Sequence, residues 1–178
     1  MAVVVVGVSH HTAPVDVRDQ VAVPTAEYPV ALSDLAQVEH LDEVALISTC
    51  NRTEAYAVAD SPDAAVEAIQ THLTARAGDT TDVASHLFSH QGEDAVKHLY
   101  RVTSGLDSMI MGEPQIAGQV KDAGARAMEL GTSGRILNRL FRGAVEASKR
   151  ARTETEIAAG AVSVPFAAVE LAKKIFGK

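Results

Sequence analysis

The chain has a single cysteine, Cys50, and its neighbours decide what that thiol can do. It follows the apolar run ALIST (45–49) and precedes Asn51, Arg52, Thr53 and Glu54. A thiol attacks only as thiolate, and a nearby cation favours that form. Arg52 can supply the cation, or it can hold a substrate carboxylate in a bidentate pair. A strand end opening into a polar loop also exposes a reactive group on a rigid support. The same residues fit a small apolar thiol buried at a strand terminus, because free cysteine is among the most buried residue types. On this stretch alone both readings stand.

Three other groups could carry chemistry. His98, within EDAVKHLY (93–100), falls on an expected helix, where an imidazole could serve as general acid and base or simply make a helix hydrogen bond. The segment GLDSMIMGEPQ (105–115) is bounded by glycine and offers Ser108, Glu113 and Gln115 to a small polar ligand. Gln119 follows Gln115 one turn later on the same helix face. Alternatively, this is an inter-helix loop with a capping glutamate. Arg135, Arg139, Arg142, Lys149 and Arg150 fall within an arc of roughly 100° on a helix whose other side carries Leu137, Leu140, Phe141, Ala144 and Ala151. Such a stripe suits phosphates, or it is a solvated face. His10 and His11 are adjacent but have no partner at metal-ligand spacing, so no metal site is expected.

Patterning supplies the elements that must hold these groups. Residues 2–8 (AVVVVGV) read as a buried strand, 43–49 as a second, 54–58 as a third and 86–89 as a short fourth. Helical spacing covers about 26–38, and 63–77 with Ala65, Val66, Ile69, Leu73 and Ala77 on one face. The order strand, helix, strand, strand, helix, strand predicts an α+β fold: a split βαβ, ferredoxin-like antiparallel sheet with helices on one face. Helices are expected over 93–104, 113–130 and 134–153, and a last one from about Ser163 with Pro165 in its first turn.

The bulk properties narrow the class. At 178 residues the chain can bury a sizeable core, and 47% hydrophobic with 22% charged residues is ordinary for a globular protein. No apolar run approaches the roughly 20 residues that span a bilayer, and the apolar start lacks a basic region and a cleavage site. One cysteine excludes an intrachain disulfide and makes a cytoplasmic location the default. The net charge of −7 is uneven: residues 1–130 carry 7 Lys/Arg against 19 Asp/Glu, and residues 131–178 carry 9 against 4. There is no GxGxxG fingerprint after a strand, no P-loop and no GxSxG elbow.

Together, GVSHHTAPVDVR (7–18), STCNRTEAY (48–56), HLYRVTSGLDSMIMGEPQIAGQVKDA (98–123) and KRARTETEIAAGAVSV (149–164) resemble the glutamyl-tRNA reductase family. The resemblance implies that Cys50 attacks the ester joining glutamate to tRNA. The resulting thioester is reduced by hydride from NADPH to glutamate-1-semialdehyde, the entry to tetrapyrrole synthesis. It implies that Thr49, Cys50, Asn51 and Arg52 bind the glutamyl group, with Ser108, Glu113, Pro114, Gln115 and Gln119 as further substrate contacts. His98 matches a histidine implicated in activity. The family's arrangement implies a catalytic domain over 1–160 (about 1–90 α+β, about 91–160 helical) and the start of a spinal linker helix over 161–178. NADPH-binding and dimerisation domains are then expected to be absent, so that this chain reaches thioester formation or hydrolysis only. Implied partners are glutamyl-tRNA and glutamate-1-semialdehyde aminotransferase, with a homodimer for the complete enzyme and no membrane. His11 and Pro165 depart from the usual pattern. A non-catalytic tRNA- or partner-binding module from the same family is the alternative.

Overall fold

The structure is a computed structural model that describes residues 1–78, 82–158 and 164–176. Its centre is β1 (Ala2–Ser9), whose four consecutive valines favour extended backbone. Successive side chains leave a strand on opposite faces. Val4 and Val6 therefore enter one core with Leu32, Ala55, Ala57 and Ile69, while Val5 enters another with Tyr56, Leu99 and Val120. Two-sided burial explains why β1 is continuously apolar rather than alternating.

Three strands complete the sheet: β2 (Glu43–Thr49), β3 (Arg52–Ala59) and β4 (Phe88–Gln91), in the order β2-β3-β1-β4 with every neighbouring pair antiparallel. β1 and β2 thus run parallel with β3 between them, as a split βαβ requires. The expected α+β architecture is present, with two adjustments to the strands. β3 begins at Arg52, not residue 54, because Thr49 pairs with Arg52 and leaves only Cys50 and Asn51 in the turn. β4 begins at Phe88, not residue 86. His86 closes a single 3-10 turn, its Nδ1 2.7 Å from the carbonyl oxygen of Thr12, and pairing with β1 starts at Phe88 opposite Gly7.

The two helices of the split βαβ share one face, as expected, and the helical half of the chain covers the other. α2 (Tyr28–Ala36) and α3 (Pro62–Ala77) pack on the first, through Leu32, Leu35, Ala65, Ile69 and Leu73. α4 (Glu93–Thr103), α5 (Gln115–Glu129) and α6 (Arg135–Glu154) close the second, where Tyr56 meets Phe141 edge-on at 5.6 Å between ring centroids. Between β1 and α2 lies a further helix, α1 (Val15–Val21), for which periodicity gave no signal; at seven residues it spans two turns and buries only Val17 and Val21. α7 (Val164–Phe176) has Pro165 in its first turn, while Ser163 lies outside the described residues. No helix among the described residues is long and apolar enough to cross a membrane.

α6 is pinned at both ends. The Glu43 carboxylate, at the start of β2, accepts hydrogen bonds from the N–H groups of Ile136 (3.0 Å) and Leu137 (2.7 Å), placing negative charge at the helix N-terminus. At the other end Arg152 donates to the carbonyl oxygen of Gly112. The helix therefore runs from the sheet end remote from Cys50 to the loop between α4 and α5.

Candidate active site

Cys50 and Asn51 form a two-residue turn between β2 and β3, and Cys50 is exposed. Two-residue hairpins usually rely on positive φ to match strand twist, yet neither residue has one. Contacts from outside the hairpin hold the turn instead. The N–H of His10 donates to the carbonyl oxygen of Asn51 (2.9 Å), and Arg18 Nε donates to that of Cys50 (3.4 Å). Within the turn, Asn51 N–H donates to Thr49 Oγ1 (3.2 Å). The 7–18 segment therefore fixes the backbone that carries the thiol.

The turn opens on a slot of about 30 Å³ lined by Thr49, Cys50, Asn51, Arg52, Ser108, Glu113, Gln115, Ile116 and Gln119. Eight of these nine are residues expected to contact substrate; Ile116 is the addition. Pro114 is exposed and outside the lining, at the N-cap position of α5. Its helix starts at Gln115 with no side-chain cap, so Glu113 is not the capping residue that the bland reading of this loop required. Gln115 and Gln119 meet the slot from one face of α5, as their spacing predicts.

The loop from Gly105 to Gly112 is clasped at its ends. Gly112 N–H donates to Gly105 O (2.9 Å), both glycines have positive φ (75° and 79°), and a Cβ on Gly105 would lie 3.1 Å from Gly112 Cα. Only glycine adopts both the conformation and the approach readily. The clasp presents Asp107 and Ser108 to the hairpin.

Arg52, although a lining residue, is almost wholly buried and already engaged. Nη1 donates to Glu54 Oε1 (2.7 Å) and Asp107 Oδ2 (3.2 Å), and Nη2 donates to the backbone oxygen and to Oδ2 (3.3 Å) of Asp107. Nε has no acceptor among the described residues. Glu54 is fully buried; its second oxygen accepts from Tyr56 (2.7 Å), and its first lies 3.1 Å from His98 Nε2. Burial pushes the Glu54 carboxyl up, but the His98 hydrogen bond, the Arg52 charge and the Tyr56 hydroxyl outweigh it and hold the pKa at about 2. The same burial and the adjacent Glu54 anion push the Tyr56 phenol well above its ordinary value.

His98 does not line the slot. It sits behind Arg52 on α4, with Phe88 and His90 at ring-centroid distances of 5.0 and 5.1 Å. Burial, then the neighbouring His98, lowers the pKa of His90. His11 approaches Asp107 (3.6 Å) from the outer side, and burial followed by His11 and Arg52 lowers the pKa of His10. Sequence reasoning missed Glu54, Tyr56 and Asp107. The first two had a readable signal: Arg52, Glu54 and Tyr56 alternate on one strand face, so a charge sits inward in a buried run and needs its neighbour's opposite charge. Asp107 comes from a loop 55 residues away and gave none.

The comparisons with known proteins point to one family. A family profile described as "Glutamyl-tRNAGlu reductase, N-terminal domain" matches residues 6–155. The glutamyl-tRNA reductase of Geobacillus kaustophilus is 50% identical over 179 residues, covering 100% of this chain and 39% of that protein. That of Geobacter metallireducens is 47% identical, covering 99% and 41%. The solved glutamyl-tRNA reductase from Methanopyrus kandleri superposes with a TM-score of 0.75 at 38% identity, over 98% of this chain and 40% of the other. The chain thus spans about 40% of the length of the relatives it matches.

Proposed function

This chain belongs to the glutamyl-tRNA reductase family, as its N-terminal domain, and on that premise we propose that residues 1–160 carry the thiol step of that reaction. The observation that supports it most is the exposed Cys50 thiol on a braced turn, opening on a slot lined by polar residues of three separate segments. In the proposed step the Cys50 thiolate adds to the carbonyl carbon of the glutamyl ester. The carbon–oxygen bond to ribose breaks, the ribose oxygen takes a proton and a thioester remains. A thioester is more electrophilic than the oxygen ester it replaces, so covalent capture divides one difficult transfer into two easier ones.

Thr49, Asn51, Ser108, Gln115 and Gln119 supply donors and acceptors for the glutamyl group, and Glu113 suits its ammonium. The side-chain carboxylate falls to Arg52, through Nε or in place of Asp107. The slot is small, about 30 Å³, and Asp107 of the 105–112 loop already holds the Arg52 guanidinium. A carboxylate arriving at Arg52 competes directly with the contact that ties that loop down. His98 acts through Glu54, as a positioning residue for Arg52.

NADPH, which the resemblance implies, would supply hydride to the thioester in the complete enzyme and give glutamate-1-semialdehyde. The step assigned to residues 1–160 is formation of the thioester or its hydrolysis. Glutamyl-tRNA as partner, a cytoplasmic location and hand-over to an aminotransferase are parts of the same proposal. The test is single-turnover release of glutamate from charged tRNA by the chain and by Cys50→Ser. Loss of release in the variant supports the reading; release at the unmodified rate refutes it.

A further inference from the structure

α6 carries six basic and two acidic residues in a chain of net charge −7. Leu137, Leu140, Phe141, Ala144 and Ser148 form its buried face, and Arg135, Arg139, Arg142, Lys149 and Arg150 are all exposed opposite it. Arg150 is held by Glu154 at 2.9 and 3.2 Å. Among the described residues, Arg135, Arg139, Arg142 and Lys149 make no salt bridge. Four uncompensated cations on one face of an acidic protein draw their neutralising charge from outside. At ~1.5 Å per residue the row from Arg135 to Lys149 is about 21 Å long. Glu146 interrupts it between Arg142 and Lys149.

Two grooves flank this row, and both are far larger than the Cys50 slot. One of about 350 Å³ lies against α5, with Lys121, Met128 and Phe141 beside Arg142 and Lys149; the other, about 490 Å³, lies against α4, with Tyr100 and Ile136 beside Arg135 and Arg139. The direction of the row is fixed by the two pins on α6. Its N-terminal end is held by Glu43 at the far end of β2, and beyond Lys149 the helix reaches Gly112, next to slot residue Glu113.

We propose that this face of α6 is a track for RNA phosphates, along which the acceptor arm of a tRNA lies so that its aminoacyl end reaches Cys50. The inference rests on the thiol reading above for its substrate. An acidic protein would satisfy the charges but has no reason to align with the slot. A tRNA has both the phosphates, which the flat guanidinium fork matches, and an ester that must arrive there.

The test measures binding of uncharged glutamate tRNA to the full chain across a salt series. It compares the unmodified protein with Arg135→Gln/Arg139→Gln/Arg142→Gln/Lys149→Gln and, separately, with Glu146→Gln. Neutralising the four cations lowers the slope of log affinity against log salt by about 3 and weakens binding on the order of 100-fold near 0.1 M salt. Glu146→Gln, a surface change that removes the one anion in the row, tightens binding several-fold. Reaction of Cys50 with glutamic acid 1-methyl ester, which has no RNA, stays unchanged in both variants. An unaltered slope in the quadruple variant with no tightening in Glu146→Gln overturns the proposal, as does polyglutamate of matched charge binding the track as tightly as tRNA. Failure of Cys50 to react with the small ester, with the slope change intact, would defeat the thiol reading and leave the RNA track standing.

Discussion

Glu54 Oε1 lies 3.1 Å from Nε2 of His98 and receives a 2.7 Å hydrogen bond from Arg52, so one buried oxygen couples the histidine of α4 to the arginine beside the thiol. His98 is thereby one carboxylate removed from the slot. An imidazole so placed can orient Arg52 through that carboxylate.

The consequence is separable by experiment. His98→Ala should leave alkylation of Cys50 by iodoacetamide within about twofold. It should also raise the concentration of glutamyl ester needed for half-maximal thioester formation by about tenfold, the effect of ~1.4 kcal/mol of lost Arg52 positioning. His98→Gln, which can still donate to Glu54, should recover part of that loss. A tenfold fall in alkylation rate would place His98 at the thiol after all.

Glu54 makes stability acid-sensitive in a defined window. Its folded pKa of about 2 lies below the ordinary 4.5, so its contribution is complete above about pH 5 and disappears as pH falls through 2. The depression corresponds to about 3 kcal/mol for a group with no solvent exposure. Urea unfolding between pH 6 and 2 should show a loss of that order, and Glu54→Gln should flatten this part of the profile while lowering stability by about 3 kcal/mol at neutral pH.

Gly7 makes room for Glu54 on the neighbouring strand. It faces Glu54 across the β1–β3 ladder, and a Cβ there would lie 2.3 Å from the Thr53 carbonyl oxygen and 2.8 Å from Glu54 Cα. Both obstacles are backbone and cannot rotate aside. Gly7→Ala should cost about 1–3 kcal/mol by overpacking, read as a lowered melting temperature. It should also blunt the acid response of Glu54, because the carboxylate moves with its strand. A melting temperature within a degree of the unmodified protein would contradict this.

How much of this was readable from the chain depends on the range of the interaction involved. The valines of β1 and the spacing of Ala65, Ile69 and Leu73 report local preference, and their elements lie close to where pattern placed them. Seven of the nine residues lining the slot fall within the STCNRTE and GLDSMIMGEPQ stretches. Distant partners were another matter. The Asp107–Arg52 pair joins residues 55 apart, and a second core on the far face of the sheet depends on how α4 to α6 fold back. Neither leaves a periodic trace. The start of β3 was misplaced for a related reason: Arg52 looks like a loop residue until Glu54 and Asp107 are known to neutralise it inside.

Trapping the covalent intermediate tests the thiol step most directly. The chain is mixed with glutamyl-tRNA and no NADPH, quenched in acid within one turnover, digested and measured by mass spectrometry. The account expects one glutamyl group on the peptide that contains Cys50, absent from Cys50→Ser and released by hydroxylamine as a thioester is. Glutamate released from the tRNA at equal rates by both proteins, with no adduct on that peptide, would contradict it.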